Sequence, residues 1–137
     1  MADICFEELM AKAKEARRNS YSPYSRYRVG AALLGESGTV YLGCNVENAS
    51  YGVTICAERT ALVSAIASGE RRFKALALVG GKEDTPDEAV FPCGICRQAL
   101  TEFCSLDMPI AVYDINKGFS VYQLRDLLPF AFTPDNL

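Results

Sequence analysis

The stretch CAERTALVSAIASGERRFKALALV, residues 56–79, decides the fold of this chain. Its first part repeats small and apolar residues at helical spacing from Cys56 to Gly69, and glycine commonly ends a helix. Its second part, Phe73 to Val79, is a nearly continuous apolar run that predicts a buried strand. A helix that leads directly into a buried strand is typical of proteins in which helices cover the faces of a sheet.

The segments around this stretch supply the other layers of the fold. Apolar runs flanking turn residues predict a hairpin, and helical spacing predicts further helices. The expected elements are a helix over 3–18, strands over 29–34 and 39–42, a helix that follows Pro92 and runs through 103, strands over 109–113 and 119–122, and a helical turn over 123–128. This order predicts one domain over residues 1–137, of the α/β class, built as a three-layer α/β/α sandwich with a mixed five-stranded sheet.

Composition limits the chemistry open to the chain. It has 137 residues and no histidine, which excludes Ser-His-Asp and Cys-His catalytic groups and imidazole metal ligands. A net charge of −3 argues against a nucleic acid polymer as a partner, because such proteins need a clustered basic surface. With neither a basic leader nor about 18 consecutive apolar residues, we expect a soluble cytoplasmic protein with no membrane partner. In the reducing cytoplasm, the six cysteines are expected to be thiols or metal ligands rather than disulfides.

Three cysteines at predicted helix starts form a candidate zinc site. Cys93 and Cys96 have the two-residue gap that lets thiolates at the start of a helix converge on a tetrahedral ion. Cys56 opens the upstream helix, and the chain between Cys56 and Cys93 is long enough for the two helix starts to meet. Taken alone, the Cys93 and Cys96 pair could also be a redox pair or two core thiols. Three thiolates would leave zinc an open fourth position, which distinguishes a catalytic zinc from a structural one.

Two charged residues follow Cys56 in the same helix. The negative charge of Glu58 could stabilise the N-terminus of the helix through the helix dipole. Alternatively, Glu58 could carry protons between water and a substrate, and its spacing from Cys56 does not choose between these roles. Arg59 could face solvent. However, three thiolates around a zinc ion carry a net negative charge that a nearby cation would offset. We therefore expect Arg59 to donate to the thiolate sulfurs.

Several motifs in the chain carry a family resemblance. CAER at 56–59 and PCGICRQ at 92–98 resemble the signature of the small homotetrameric zinc-dependent cytidine deaminases. Further similarity to that family occurs in the same order at 24–25 and 29–33, at 43–48, and at 127–129 with 131–132. The resemblance covers nearly the whole chain, and the agreement of several motifs is more specific than any one of them.

The resemblance implies a reaction and a cofactor. The reaction is hydrolytic deamination of a free pyrimidine nucleoside, cytidine or 2′-deoxycytidine, to uridine or 2′-deoxyuridine with release of ammonia, as in pyrimidine salvage. Zn²⁺ would be held by Cys56, Cys93 and Cys96, with Glu58 as the general acid and base and Arg59 neutralising the site. The family also implies a homotetramer with shared active sites.

The resemblance further implies the contacts to the nucleoside. Asn45 and Glu47 would bind the ribose hydroxyl, although a turn pair after the hairpin would use the same residue types. The backbone of Ala57 would contact the pyrimidine and the ring of Tyr27 would stack on it. Phe132 would reach the active site of a neighbouring subunit and pack on the base.

Three positions depart from the family pattern. Tyr27 replaces the usual phenylalanine, so its hydroxyl needs a hydrogen-bond partner. Phe91 stands where the family commonly has serine, which puts in doubt a polar contact to the base from that side chain. Phe130 replaces a small residue two positions before Phe132, so two phenylalanines compete for one role.

Three other functions share some of these features. A deaminase of cytosine-bearing nucleoside antibiotics would use the same zinc motifs, but the run Asn45-Val46-Glu47-Asn48 favours an ordinary nucleoside. An enzyme that edits RNA or DNA is disfavoured by the negative net charge. In a different class, Cys44 could join the three cysteines in a closed, four-thiolate structural zinc site of a binding module.

Overall fold

Five strands form one sheet in a computed structural model that describes residues 4–137. The strands are β1 (Tyr27–Gly35), β2 (Val40–Cys44), β3 (Phe73–Lys82), β4 (Pro109–Asp114) and β5 (Gly118–Gln123). Their order across the sheet is β2-β1-β3-β4-β5. Only the β3 and β4 pair is parallel, and the other three neighbouring pairs are antiparallel. The predicted mixed five-stranded sheet is confirmed.

Helices cover both faces of the sheet. These are α1 (Phe6–Arg17), α2 (Ala57–Ala67), α3 (Gly94–Thr101) and a single turn, α4 (Leu124–Leu127). α1 packs on one face, whereas α2 and α3 belong to the apolar cluster on the opposite face. The predicted three-layer α/β/α sandwich is therefore confirmed. Within residues 4–137, no helix has the length and apolar character needed to cross a membrane.

The two faces of the sheet differ in the size of their buried side chains. Successive strand residues point to opposite faces, so each strand contributes to both layers. In β3, Leu76 and Leu78 pack in the cluster that contains α2, while Ala75 and Ala77 pack in the cluster that contains α1. The small side chains let α1 lie close to the sheet, and the larger ones fill the space below α2 and α3.

The boundaries of some elements differ from the prediction. The first helix begins at Phe6 rather than at residue 3, which lies outside the described residues. β3 continues through Gly80 and Gly81, beyond the predicted end of this strand at Val79. These glycines stay paired with β1, and Gly81, at φ +148°, leaves room for the Arg17 guanidinium: a Cβ there would lie 2.6 Å from Nη2. α3 begins after Cys93, which has extended backbone and acts as its N-cap, and it ends at Thr101, two residues before the predicted end.

Gly43 in β2 fixes the position of the α2 N-terminus. A Cβ at this position would lie 2.2 Å from the carbonyl oxygen of Ala57 and 2.5 Å from the amide nitrogen of Ala61. The helix backbone therefore rests directly on the strand, in contact that a side chain would prevent. The Thr60 hydroxyl lies 2.8 Å from the Cys44 carbonyl oxygen and reinforces this contact.

Replacing Gly43 by alanine should push α2 away from the sheet. We expect Gly43→Ala to lower the free energy of unfolding by about 1–3 kcal/mol, as overpacking does, and to lower zinc occupancy because Cys56 opens this helix. Urea unfolding and metal analysis measure both effects. Gly52→Ala is the matched control, since a Cβ there has open space around it. If Gly43→Ala were as stable as Gly52→Ala, the close contact would have no energetic importance.

Candidate active site

Three cysteine thiols converge where α2 and α3 begin. Cys56 is the N-cap of α2, Cys93 is the N-cap of α3, and Cys96 lies in the first turn of α3. The Cys56 and Cys93 sulfurs are 3.6 Å apart, the Cys93 and Cys96 sulfurs are 3.5 Å apart, and all three lie within 4.8 Å of one another. Tetrahedral bonds of about 2.3 Å would place sulfur ligands roughly 3.8 Å apart. The cluster thus has the dimensions of a three-thiolate zinc site.

The local field favours negative charge on this cluster. Both helices point their N-termini, with their partial positive charge and unpaired amide groups, at the sulfurs. A hydrogen bond from Cys96 is the largest cause that lowers the pKa of Cys56, to about 5, and Arg59 lowers it further. The same sharing of a proton, together with burial, raises the pKa of Cys96. The cluster therefore readily holds a thiolate, which is the form that binds zinc.

Arg59 is the cation next to the sulfurs. Its Nη2 atom is 3.8 Å from the Cys56 sulfur. Its Nε atom is the one buried side-chain nitrogen or oxygen among residues 4–137 that has no hydrogen-bond partner. An unpaired buried donor beside this cluster fits a site in which all three cysteines, when deprotonated to bind a metal ion, present additional sulfur acceptors.

Glu58 is almost completely buried, with 3% of its surface exposed. Burial is the main cause that raises its pKa to about 7, and the negative charge of Cys56 contributes. A carboxyl group with such a pKa exchanges protons readily near neutral pH, as a general acid and base must. Stabilising the helix dipole does not require burial of the carboxyl group, which costs free energy, so the burial of Glu58 supports the proton-transfer role over the capping role.

Asn45 and Glu47 are hydrogen-bonded to the loops around them. The Asn45 side chain accepts from the Val29 amide at 2.9 Å and donates to the Tyr27 carbonyl at 2.7 Å. Glu47 accepts from the backbone amide and the hydroxyl of Ser25, and the hydroxyl contact is the main cause that lowers the Glu47 pKa. Both side chains keep hydrogen-bonding capacity for a ligand. Their contacts to a ribose stay predictions.

Tyr27 and Ala57 are each the first residue of an element, Tyr27 of β1 and Ala57 of α2. Burial with a hydrogen bond to Glu88 raises the pKa of Tyr27 to about 12. The Glu88 carboxylate is thus the acceptor that lies near the extra hydroxyl. Ala57 is buried between Cys56 and Glu58, so its backbone lies beside the cluster.

The three phenylalanines have different environments. Phe91 is exposed and packs edge-on against Tyr122, with ring centroids 5.3 Å apart. Phe130 is fully exposed and has a left-handed backbone with φ of 54°. The Phe132 ring is also largely exposed, while its carbonyl accepts a hydrogen bond from Gln98 at 2.8 Å. Phe132 is therefore the phenylalanine whose backbone is attached to α3.

The residues of this site do not line the large cavity at the C-terminal end of α3. A cavity of about 920 Å³ opens there, lined by Phe73, Thr101 and Cys104 among others, and it includes neither the three cysteines nor Glu58. Within the described part of the chain, the three-cysteine cluster is the only group of three or more cysteine and acidic side chains placed to hold a metal ion. Cys44 is not a member of this cluster, which argues against a four-thiolate site.

Sequence reasoning assigned no role to two residues next to the cluster. Arg97 donates to the carbonyls of Pro92 and Leu127, and Gln98 donates to the carbonyl of Phe132. The signal was present in the motif PCGICRQ, since an arginine one turn into a helix can reach back to the residue before its N-cap. The second partner of Arg97, the Leu127 carbonyl, lies near the C-terminus of the chain, and the motif does not indicate this contact.

Comparison with known proteins identifies relatives across the chain. Residues 4–112 match the family described as cytidine and deoxycytidylate deaminase zinc-binding region. Cytidine deaminase of Sporosarcina psychrophila is 47% identical over 131 residues, covering 96% of this chain and 93% of that protein. Cytidine deaminase of Mycobacterium tuberculosis H37Rv is 40% identical over 137 residues, covering 100% and 96%. The crystal structure of cytidine deaminase from Burkholderia pseudomallei matches with a TM-score of 0.85 and 44% identity, covering 94% of this chain and 100% of that one.

The mixed sheet and the three thiols at its paired helix starts define a metal-binding protein of the α/β class. The comparisons make that class specific: this chain belongs to the cytidine and deoxycytidylate deaminase family. Zinc is its cofactor, in agreement with the prediction, and the thiol geometry fits that ion.

Two serine substitutions should separate the zinc ligands from the neighbouring cysteine. We expect Cys96→Ser to lose the metal, because a hydroxyl does not replace a thiolate in this site, and Cys44→Ser to retain about one zinc ion per chain. Metal analysis of both purified proteins measures this directly. A Cys44→Ser protein without zinc, or a Cys96→Ser protein with full zinc content, would contradict the assigned ligand set.

Proposed function

We propose that this chain deaminates free cytidine and 2′-deoxycytidine by hydrolysis, giving uridine or 2′-deoxyuridine and ammonia. The observation that carries the proposal is a buried carboxyl group, Glu58, within two residues of a thiol cluster that has the dimensions of a zinc site. Relatives named cytidine deaminase, matched along nearly their whole length, support the substrate.

The chemistry divides between the metal and the side chains. Bound zinc supplies a Lewis acid that makes water nucleophilic at neutral pH. Cys56, Cys93 and Cys96 would hold it, and Arg59 would offset the negative charge of their thiolates. Glu58 would take a proton from the attacking water and deliver protons to the ring nitrogen and then to the departing amine. The water oxygen becomes the new carbonyl oxygen, and the amino group leaves as ammonia.

The nucleoside would be bound by residues from the strand ends and the C-terminal tail. Asn45 and Glu47 would bind the ribose hydroxyl, and their loop contacts support this by holding both side chains in fixed positions. The Ala57 backbone would contact the pyrimidine. Tyr27 and Phe132 would pack on the base, Tyr27 from the same chain and Phe132 from a neighbouring one.

We further propose that the chain acts as one domain over residues 1–137 in a homotetramer with shared active sites, without a nucleic acid polymer or membrane as partner. Burial against other copies would cover several large apolar side chains near the two motifs that are exposed in the single chain, namely Tyr51, Val53, Phe91, Ile95 and Phe132. A protein that is monomeric by light scattering and fully active under the same conditions would contradict this assembly. None of the six cysteines, which all lie within residues 4–137, forms a disulfide, and this supports the cytoplasm as the location. A reaction that converts a free cytosine nucleoside to a uracil nucleoside supports pyrimidine salvage as the setting.

The role of Glu58 is tested by an isosteric change. Glu58→Gln keeps the volume of the buried side chain but cannot accept and return a proton, so we expect the turnover number for cytidine to fall by about 10²–10⁴-fold while zinc content is unchanged. The ultraviolet absorbance change of cytidine measures turnover. Glu8→Gln, an exposed change on α1, is the control and should retain full activity. Near-normal turnover by Glu58→Gln would exclude this residue as the proton carrier.

The ribose contact of Glu47 predicts a different kinetic signature. Glu47→Gln should raise the KM for cytidine by roughly 10-fold or more, since it weakens a hydrogen bond to a charged group, with a smaller effect on the turnover number. The matched control is Glu70→Gln, because Glu70 also accepts from the hydroxyl and amide of a serine, Ser37, at an exposed turn. If both variants had the same KM as the unchanged chain, Glu47 would have only its loop contacts.

A further inference from the structure

Arg97 joins two segments that are far apart in the chain. Its Nε atom donates to the Pro92 carbonyl at 2.6 Å, and its Nη1 atom donates to the Leu127 carbonyl. Pro92 is fully buried and immediately precedes Cys93. Leu127 is the last residue of α4, directly before the C-terminal tail, residues 128–137. One half-buried guanidinium group therefore contacts both the loop that carries a zinc ligand and the origin of the tail.

The shape of the arginine side chain suits this double contact. The carbonyl at the C-terminus of a short helix has no partner within the helix, and a cation near it is favourable. A guanidinium group presents several donors in a fixed planar fork, so one side chain can serve two carbonyls at once. A lysine carries the same charge on a single atom and cannot reproduce the fork.

Gln98 attaches the tail at a second point. Its side-chain amide donates to the Phe132 carbonyl at 2.8 Å and lies 3.2 Å from the hydroxyl of the buried Thr101. Arg97 and Gln98 are consecutive residues of α3, which also carries Cys96. The helix that bears the zinc ligand thus holds the tail at both Leu127 and Phe132.

We propose that Arg97 is a positioning residue that fixes the Pro92–Cys93 loop and the start of the C-terminal tail relative to α3, so that the geometry of the zinc ligands depends on Arg97 and the placement of Phe132 depends on Arg97 together with Gln98. Gln98 extends the attachment of the tail without contacting the ligand loop. The proposal rests on the proposed function only in assigning Phe132 to the nucleoside.

Two measurements that need no catalytic activity test this proposal. The first is the rate of zinc loss from the zinc-loaded protein to a chromophoric chelator. The second is the rate at which chymotrypsin cleaves the tail at Phe130 and Phe132. We expect Arg97→Gln to accelerate zinc loss about 10-fold or more and to accelerate cleavage, because two charge-assisted hydrogen bonds are lost. Gln98→Leu should accelerate cleavage alone, leaving zinc loss within about twofold of the unchanged chain, since its contact is confined to the tail.

Arg71 provides a matched control. It too donates to two backbone carbonyls, those of Ile66 and Glu70, but at the end of α2 that is remote from the cysteines. Arg71→Gln should therefore leave zinc loss and tail cleavage unchanged. Arg97→Lys keeps the charge and the alkyl stem but not the planar fork, so it should give rates of zinc loss and tail cleavage between those of Arg97→Gln and the unchanged chain. If Arg97→Gln does not fold, the rates of Arg97→Lys test the positioning role instead.

The outcomes separate this proposal from the proposed function. Zinc loss from both Arg97 variants at the rate of the unchanged chain would overturn the positioning role, whatever the activity. Equal acceleration of zinc loss by Gln98→Leu and Arg97→Gln would also overturn it, because the tail and the ligand loop would then not be held separately. If the unchanged chain deaminated no nucleoside while the predicted pattern of zinc loss and cleavage appeared, the proposed function would fail and the role of Arg97 would stand. With activity present, both variants should raise the KM for cytidine.

Discussion

The site depends on one constraint, the placement of two helix N-termini side by side on the same face of the sheet. This placement brings Cys56 and Cys93, the N-caps of α2 and α3, to a sulfur separation of 3.6 Å, and Cys96 completes the cluster from the next turn. The helix dipoles and the adjacent Arg59 favour thiolates, which would otherwise repel one another. The same packing that assembles the ligands also buries Glu58. The contact between α2 and α3 therefore sets both the charge of the sulfur cluster and the environment of the proton-transfer group.

The rest of the fold maintains that contact. β3 and β4 are the parallel pair at the centre of the sheet, and α3 lies in the connection between them. A connection of this kind returns the chain to the same face, which brings the start of α3 beside α2. Gly43 sets the height of α2 above β2, and Leu100 anchors α3 in the shared apolar cluster. Arg97 then connects the ligand loop to the last segment of the chain.

Much of this arrangement could be predicted from the sequence because it depends on local patterns. Helical and strand spacing gave the elements and their order, and a two-residue gap between cysteines at a helix start indicated convergence on a metal ion. The features that were not predicted depend on long-range contacts. Gly80 and Gly81 look like loop residues, yet they remain in β3 because they stay paired with Val29 and Arg28 of β1. The Arg17 guanidinium occupies the space that a side chain at Gly81 would need. The loop contacts of Asn45 likewise involve residues well upstream in the chain.

The most direct test of this account is zinc-edge X-ray absorption spectroscopy of the purified protein. The account predicts three sulfur neighbours at about 2.3 Å and one nitrogen or oxygen neighbour at about 2.0 Å, the latter from a molecule that exchanges with solvent or substrate. Four sulfur neighbours would contradict it, because a closed thiolate site leaves no position at which water and a nucleoside could react beside Glu58.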